Sequence, residues 1–224
     1  MLEVLIDTET TGLSVREKHR MVEIACIELD NYVETNNVFH EYINPQRKVS
    51  EDSFKIHGYS DEFLSDKKNF SQICDNFLNF IKNKKIIMHN APFDLSFINY
   101  ELKILKKPTI EMDNVLDTLE LARSKFPGSS NSLDALCKRY KISTSERVKH
   151  NALLDCKLLK DVYINLNEQK EPKLNLDNSI YKDEKFSIDN TETKHHSLRI
   201  ISPSKEEKIK HEEFLKTNIK KNFY

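Results

Sequence analysis

The spacing of apolar residues changes along this chain, and that change limits the folds it can adopt. The first 43 residues contain short strand-like apolar segments at 3–7, 21–29 and 32–43. Farther on, apolar residues recur every three or four positions, which predicts an amphipathic helix over 70–81. An antiparallel meander of three strands followed by helices and a further strand predicts an α/β domain with a mixed sheet flanked by helices.

The remaining elements are predicted from the same two periods. A short buried strand is expected at 86–88, and helical patterns follow at 94–105, 117–126, 131–140 and 151–166. We expect the turn that ends the meander at 35–37, and an N-cap at Asn131 with Asp134 at the third helical position.

Several features predict a location in the cytoplasm, without contact with a membrane. The longest apolar run is four residues, at 24–27, whereas a membrane span needs about 20. The N-terminal MLEVLID has neither the charged nor the apolar region of a signal peptide. The four cysteines, at 26, 74, 137 and 156, lack the spacing of a zinc site or a disulfide framework and suit a reducing compartment.

The charge balance limits how the chain could act on nucleic acid. Lys and Arg total 35, Asp and Glu total 36, and the net charge is −1 with a pI of about 6.7. Proteins that hold long nucleic acids by counterion release are usually strongly basic. We therefore expect this chain to grip a short stretch of nucleic acid, or to be carried to it by a partner.

The composition shifts after residue 166. Only seven of the 33 residues in 167–199 are apolar, which is too few for a core and predicts a solvated, flexible linker. Ser204 and Glu207 form a capping-box pattern that predicts a helix to about 219. The predicted organisation is a folded domain at 1–166, a linker at 167–199 and a docking segment at 200–224.

Two carboxylates end the first strand. Asp7 and Glu9 are two positions apart, so their side chains point to the same face. Such carboxylates repel each other, and a divalent cation with a preference for hard oxygen ligands, Mg²⁺ or Mn²⁺, would relieve the repulsion. The spacing alone also fits an exposed acidic strand end.

Two further clusters follow the same arrangement. Asp94 comes shortly after the 86–88 strand and opens a helix, where a carboxylate can also serve only as a good N-terminal residue. His150 and Asp155 are five positions apart, about 140° on one ideal helix, so we place His150 in the loop before the helix and Asp155 in its first turns. Taken alone, His150 also fits a structural role.

Taken together, the three clusters resemble the DEDDh branch of the 3′–5′ exonucleases, which has a ribonuclease-H-like fold. The resemblance covers about residues 3–166 and rests on DTETTG, HNAPFD and the H-x4-D of HNALLD. The further segments FKIHG, ARSKFPG and NSLDALCKRY are similar to the proofreading subunits of bacterial DNA polymerase III, which also carry a flexible linker and a docking tail.

The resemblance implies a role for each matching residue. Asp7, Glu9 and Asp155 would bind two divalent ions, Mg²⁺ or Mn²⁺, and Asp94 would assist through bound water. His150 would be the general base for the attacking water. The resemblance also implies that His57 and Asp52 flank the terminal nucleotide; Asp52 stands where relatives have a longer acidic side chain.

The implied activity is removal of mismatched 3′-terminal nucleotides during DNA replication, with release of 5′-monophosphates. The partners would be a single-stranded or frayed DNA 3′ end and the catalytic (alpha) subunit of the polymerase, held through the C-terminal segment. Two alternatives stay open: an RNA-trimming exonuclease of the same branch, and an adaptor that uses the fold only for binding.

One segment of the predicted linker resembles the clamp-binding motif of bacterial replication proteins. In EPKLNL (171–176), Leu174 and Leu176 would enter a groove on the sliding clamp, although Glu171 stands where glutamine is preferred. The alternative is a pair of leucines in a linker with no partner.

Overall fold

A five-stranded mixed sheet forms the centre of the fold. The computed structural model describes residues 2–147, 149–167 and 204–218. The strands are β1 (Leu2–Thr10), β2 (Met21–Asp30), β3 (Val33–Tyr42), β4 (Lys85–Met88) and β5 (Val115–Asp117), in the spatial order β3-β2-β1-β4-β5. β1, β2 and β3 pair antiparallel, whereas β4 and β5 continue the sheet parallel to β1. The predicted mixed sheet is therefore confirmed.

Helices follow the first three strands along the chain. They are α1 (Glu51–His57), α2 (Asp61–Ser65), α3 (Phe70–Ile81), α4 (Ala91–Ile104), α5 (Thr118–Lys125), α6 (Leu133–Tyr140), α7 (Ala152–Leu166) and α8 (Lys205–Asn218). Periodicity predicts α3 to the residue and α7 to within one residue. The helix expected at 94–105 begins three residues earlier, at Ala91, and β5, α1 and α2 are too short to have given a periodic signal.

The two faces of β1 explain why both sides of the sheet are covered. Val4 and Ile6 point to one face and pack with residues of α3 and α4, whereas Leu5 points to the other and packs with α7. All three side chains are fully buried. A strand that is buried on both faces belongs to the centre of a sheet with helices on each side.

The turn that ends the meander differs from the prediction. β2 and β3 are joined at Asn31 and Tyr32, which both have positive φ, 51° and 68°. The polar residues at 35–37 lie instead inside β3, where the Thr35 hydroxyl and the Asn37 amide each donate to Glu28 Oε1 at 2.7 Å. The polar residues Thr35 and Asn37 therefore serve as hydrogen-bond donors to the buried Glu28 carboxylate, and they do not form a turn.

The cap of α6 also differs from the prediction. Ser132 is the N-cap, and its hydroxyl accepts from the Ala135 N–H. Asn131 lies one residue earlier and uses its side chain to hold the preceding turn. Both residue types are good N-caps, so composition alone could not choose between them.

Near the C-terminus the structure describes α8 by itself. The Ser204 hydroxyl accepts from the Glu207 N–H at 3.2 Å, and the Glu207 carboxylate accepts from the Ser204 N–H at 2.8 Å, which confirms the predicted capping box. The predicted linker at 167–199, apart from residue 167, lies outside the described residues, together with Leu174 and Leu176. In the described part of the chain, no helix is both long and apolar enough to cross a membrane.

Candidate active site

The parallel pairing of β1 leaves a cleft at its carboxyl end. β4 pairs with β1 only from Glu3 to Leu5, and the chain then leaves the sheet. β1 continues to Thr10 beside β2, so Asp7 and Glu9 have a neighbouring strand on one side only. Crevices at the carboxyl ends of parallel strands are common ligand sites in α/β folds.

Asp94 is brought to β1 by the start of α4. The chain leaves β4 through Asn90, whose φ of 67° turns it into the helix. The Asp117 carboxylate accepts from the N–H groups of Asn90 and Ala91, at 2.9 and 3.1 Å, and so satisfies this helix end. One turn later, Asp94 Oδ1 accepts from the N–H and the hydroxyl of Thr8, at 3.1 and 2.6 Å.

His150 and Asp155 come from the start of α7, as the sequence predicts. Asn151 is the N-cap and accepts from the Leu154 N–H at 3.0 Å, which leaves His150 in the loop and Asp155 in the first turn. Ligand atoms of Glu9, His150 and Asp155 all lie within 4.8 Å of one another, a spacing that suits one metal ion.

These side chains line one cavity of about 220 Å³. Its walls include the predicted residues Asp7, Glu9, His57, Asp94, His150 and Asp155, and the apolar Leu13, Ile56 and Phe93. The structure therefore brings together six of the seven residues of the folded domain to which the sequence assigns a site role.

Asp52 lies outside this cavity. The residues of α1 that line it are Ser53, Ile56 and His57, which share one helix face. The Asp52 side chain is 92% exposed and pairs with Lys55 at 3.2 Å. Its predicted contact with substrate stays a prediction that the cavity does not support.

The buried carboxylates raise one another's pKa. Burial raises the pKa of Glu9 to about 8, and the negative charges of Asp155, Glu23 and Asp94 add to the effect. Burial also raises the pKa of Asp94 to about 7, against the hydrogen bonds from Thr8. The pKa of Asp7 is raised well above its ordinary value by burial and then by Asp94 and Glu9.

Such a cluster fits a divalent cation. Carboxylates that lose water and repel one another are stabilised by a positive charge, and oxygen ligands suit a hard divalent ion. Asp155 Oδ1 is buried and makes no hydrogen bond of normal geometry, although Arg147 Nε lies 2.6 Å away as an ion pair. The oxygen and nitrogen ligands of Glu9, His150 and Asp155 match a metal site, and so does a buried carboxylate oxygen without a hydrogen bond.

Arg147 is a residue that the sequence analysis missed. One of its terminal nitrogens lies 2.7 Å from Asp155 Oδ2 and 2.8 Å from His150 Nδ1, and the guanidinium also pairs with Asp134. Arginine can only donate, so His150 Nδ1 accepts this hydrogen bond. No motif marks Arg147, because its partners are brought together only by the fold.

Glu23 was also missed, and it holds the start of α7. Its side chain is fully buried in β2. Oε1 accepts from His40 Nε2 at 2.7 Å and from Asn151 Nδ2 at 2.9 Å, and Oε2 accepts from the Tyr59 hydroxyl and the Ala152 N–H, both at 2.9 Å. The sequence could have indicated a buried carboxylate here, because Glu23 is the single acidic residue among the apolar residues of MVEIAC, and a buried charge needs partners.

His57 stands at the edge of the cavity as a neutral ring. It is 3% exposed and stacks on Tyr59 with ring centroids 4.8 Å apart. Nδ1 accepts from the Tyr59 N–H at 3.0 Å, so in the neutral ring Nε2 carries the proton. Burial lowers the pKa of His57, and the Thr10 carbonyl opposes that shift.

The fold and the site together define a metal-dependent nuclease of the DEDDh class. The profile of the exonuclease family matches residues 4–163, and the chain belongs to that family. In the nuclease domain of 3′hExo, a DEDDh family member bound to rAMP, the fold is similar, with a TM-score of 0.66 at 15% identity over 75% of this chain and 92% of that one.

Relatives within the family are more specific. The chain is 46% identical over 222 residues to the DNA polymerase III subunit epsilon of Rickettsia felis, which covers 97% of both chains. It is 43% identical to the Escherichia coli subunit epsilon over 169 residues, 72% of this chain and 70% of that protein. Exonuclease X in complex with 5′ overhanging duplex DNA has a TM-score of 0.58 at 25% identity, over 75% of this chain and 92% of that one. This chain is thus a member of the DNA polymerase III epsilon family.

Proposed function

We propose that this chain is the 3′–5′ exonuclease that removes mismatched 3′-terminal nucleotides during DNA replication. The observation that carries the proposal is the convergence of Asp7, Glu9, Asp94 and Asp155 with His150 in one cavity. The relatives named as subunits of DNA polymerase III supply the replicative setting.

Asp7, Glu9 and Asp155 would hold the metal, and we propose two ions, Mg²⁺ or Mn²⁺. When bound, divalent ions lower the pKa of water and offset the negative charge of the phosphodiester. Asp94 hydrogen bonds to β1 through Thr8 and would act on the metals through water.

His150 supplies the base. Its side chain is 46% exposed at the mouth of the cavity, so a water molecule can approach the ring and replace Arg147 as the donor to Nδ1, the unprotonated nitrogen of the neutral imidazole. The ring stays beside Asp155 because Asn151 and Glu23 fix the chain at the start of α7. A histidine near neutral pH can accept the proton that the attacking water loses, and the released product is a 5′-monophosphate.

We expect this cavity, of about 220 Å³, to receive the terminal nucleotide of a single-stranded end. Leu13, Ile56 and Phe93 offer apolar surface to the base and sugar. A frayed mismatch reaches the site at lower cost than a paired end, which would give selectivity without sequence readout.

The rest of the chain would connect the nuclease to the replicase. We propose a domain at 1–166, a linker at 167–199 whose Leu174 and Leu176 bind the sliding clamp, and docking of 200–224 on the polymerase alpha subunit. This assembly, in the cytoplasm, would hold the DNA, which explains how a chain of net charge −1 can act on it.

The test is an assay in the reconstituted polymerase. We expect terminal mismatches to be removed faster than matched ends, and this removal to be lost in Asp7→Ala. Equal rates on matched and mismatched ends would contradict a proofreading role. Cleavage of RNA alone would favour the RNA-trimming alternative.

A further inference from the structure

A second, larger cavity lies next to the catalytic one. It measures about 610 Å³ and is formed where the start of α4 meets α5 and the turn before α6. Its lining includes His89, Asn90, Arg123, Ser129 and Ser132. His89 lines the catalytic cavity as well, so the two cavities adjoin at this residue.

The turn that forms the far wall is braced. Asn131 Nδ2 donates to the carbonyls of Phe126 and Ser129, at 3.2 and 3.0 Å. Arg139 donates to Asn131 Oδ1 at 3.2 Å, and its guanidinium lies over the Phe126 ring at 4.1 Å. Gly128 allows the turn with a φ of 73°. The wall is therefore held in place before any ligand arrives, which lowers the entropic cost of binding.

The charge of this cavity is opposite to that of the catalytic one. None of its lining residues is acidic, whereas Asp7, Glu9, Asp94 and Asp155 line the neighbouring space. Among the described residues, no hydrogen bond or ion pair to the exposed Arg123 is found. Arg123 and His89 line this cavity together, so the positive charge shares the space with the residue that also borders the catalytic cavity.

The side chain of His89, which borders both cavities, is held in place by a hydrogen bond to Thr118. The Thr118 hydroxyl donates to the Met88 carbonyl at 3.0 Å, so it accepts from His89 Nδ1 at 2.9 Å. Burial is the main cause of the lowered pKa of His89, and a neutral ring leaves Arg123 as the cation that faces this cavity. A strand whose terminal nucleotide occupies the catalytic cavity continues along a neighbouring surface, and the second cavity adjoins the catalytic one at His89.

We propose that this second cavity binds the sugar-phosphate backbone of the nucleotide upstream of the scissile bond, with Arg123 on its phosphate and Ser129 and Ser132 as polar contacts. The inference rests on the proposed function, and it names the path that the substrate takes. Serine hydroxyls and an unpaired arginine suit a phosphodiester, and phosphate contacts position a strand without reading its sequence.

The experiment compares two substrates in the full-length protein. The p-nitrophenyl ester of thymidine 5′-monophosphate carries only the terminal nucleotide, whereas a thymidylate oligonucleotide also reaches the second cavity. Arg123→Gln should raise the ratio of the oligonucleotide KM to the ester KM about tenfold, as expected for one lost hydrogen bond to a charged group. The slope of log KM against log salt for the oligonucleotide should fall by about 0.7.

The matched control is Lys138→Gln, which makes the same change in net charge on the exposed side of α6, outside the cavity lining. An Arg123→Gln ratio equal to that of this control would overturn the inference while leaving the nuclease intact. Equal increases in both KM values would overturn it as well, because they would indicate a change at the catalytic cavity. A wild-type protein inactive on both substrates would remove the proposed function and this inference together.

Discussion

Glu9 illustrates how the site is built at the scale of single residues. Its carboxylate is largely buried beside Asp155, Glu23 and Asp94, which is why its pKa rises to about 8. At neutral pH the folded protein without metal must either keep a proton on this group or pay for a buried charge. The electrostatic repulsion is concentrated at a few carboxylates, so the substitution of one of them should reduce it.

We predict that Glu9→Gln stabilises the protein without metal while abolishing its activity. Removal of the repelling charge should raise the free energy of unfolding by at least about 1 kcal/mol, or about 2–4 °C in melting temperature. Thermal unfolding with a chelator measures the first effect, and nuclease assays with Mg²⁺ measure the second. The exposed Glu120→Gln should change neither, and a less stable Glu9→Gln would contradict this account.

We predict that Glu23→Gln destabilises the protein and slows the reaction. An amide nitrogen would face two donors that the carboxylate now accepts from, at a cost of about 3 kcal/mol. The start of α7 and His150 would shift, and a displacement of about 1 Å can lower kcat by about 100-fold. Urea unfolding and kcat are the measurements.

The control for that variant is Tyr59→Phe, which removes one of the four donors to Glu23. It should cost about 1 kcal/mol and leave most of the activity. Glu23→Gln with the stability of the wild type would refute the assigned role of Glu23.

At this scale the sequence predicts the groups that belong to recognisable motifs. Asp7 and Glu9 lie in the second half of β1, and Asp94, His150 and Asp155 lie in the first turn of a helix or just before it, so their positions could be anticipated from element boundaries. Glu23, Tyr59 and Arg147 could not be assigned in the same way, because no motif marks them and Glu23 meets Tyr59 and Asn151, 36 and 128 residues away, only in the fold.

At the scale of elements, α7 connects the core to the site. Ala152, Cys156, Leu159 and Tyr163 pack against the sheet on one side. Leu158, Val162 and Leu166 pack with residues of α5 and α6 on another. Because Asp155 lies one turn before Leu159, the packing of this helix also fixes the position of Asp155, which we propose as a metal ligand.

We predict that Leu159→Ala costs about 2–5 kcal/mol, since the side chain is 1% exposed and its loss leaves a cavity against the sheet. Activity should fall even below the melting temperature, because Asp155 loses its support. Urea unfolding and nuclease rates test both effects. Lys157→Ala, on the exposed side of the same helix, is the control; equal stability of the two variants would contradict the role of α7.

The elements that could be predicted from the sequence are long helices with apolar residues along one buried face, such as α3. The apolar spacing of α3 gives both of its ends because the apolar stripe begins at Phe70 and ends at Ile81, and in the structure Asn69 and Gln72 form a capping box at its start. β5 has three residues and α2 has five, so neither is long enough to repeat its period twice. The turn at Asn31 was missed because a polar run inside β3 resembled a turn more closely.

At the scale of the whole molecule, the acidic cluster should couple stability to pH and to metal. Glu9, Asp94 and Asp7 have raised pKa values, so the folded protein without metal holds more protons than the unfolded chain above about pH 4.5. Its stability therefore falls as the pH rises through these values. Divalent ions bind the deprotonated carboxylates and should oppose this loss.

We predict that, with a chelator, the melting temperature falls between about pH 7 and about pH 8.5, and that Mg²⁺ raises it more at the higher pH. In this pH interval His57 and His89 contribute little to the change in stability, because their lowered pKa values affect stability mainly below about pH 6.5. Calorimetric scans test this, with Glu9→Gln expected to show a smaller slope. A melting temperature that rises with pH in the chelator would contradict the electrostatic account.

We propose that the cluster of Asp7, Glu9, Asp94, His150 and Asp155 removes nucleotides from a 3′ end. The most direct measurement is gel analysis of 5′-labelled single-stranded DNA with the purified protein, with Mg²⁺ or a chelator, beside Asp7→Asn. We predict a ladder that shortens from the 3′ end, requires the metal and disappears in Asp7→Asn. Release of the 5′ label as a mononucleotide in the first steps, or an unchanged ladder in Asp7→Asn, would contradict the claim.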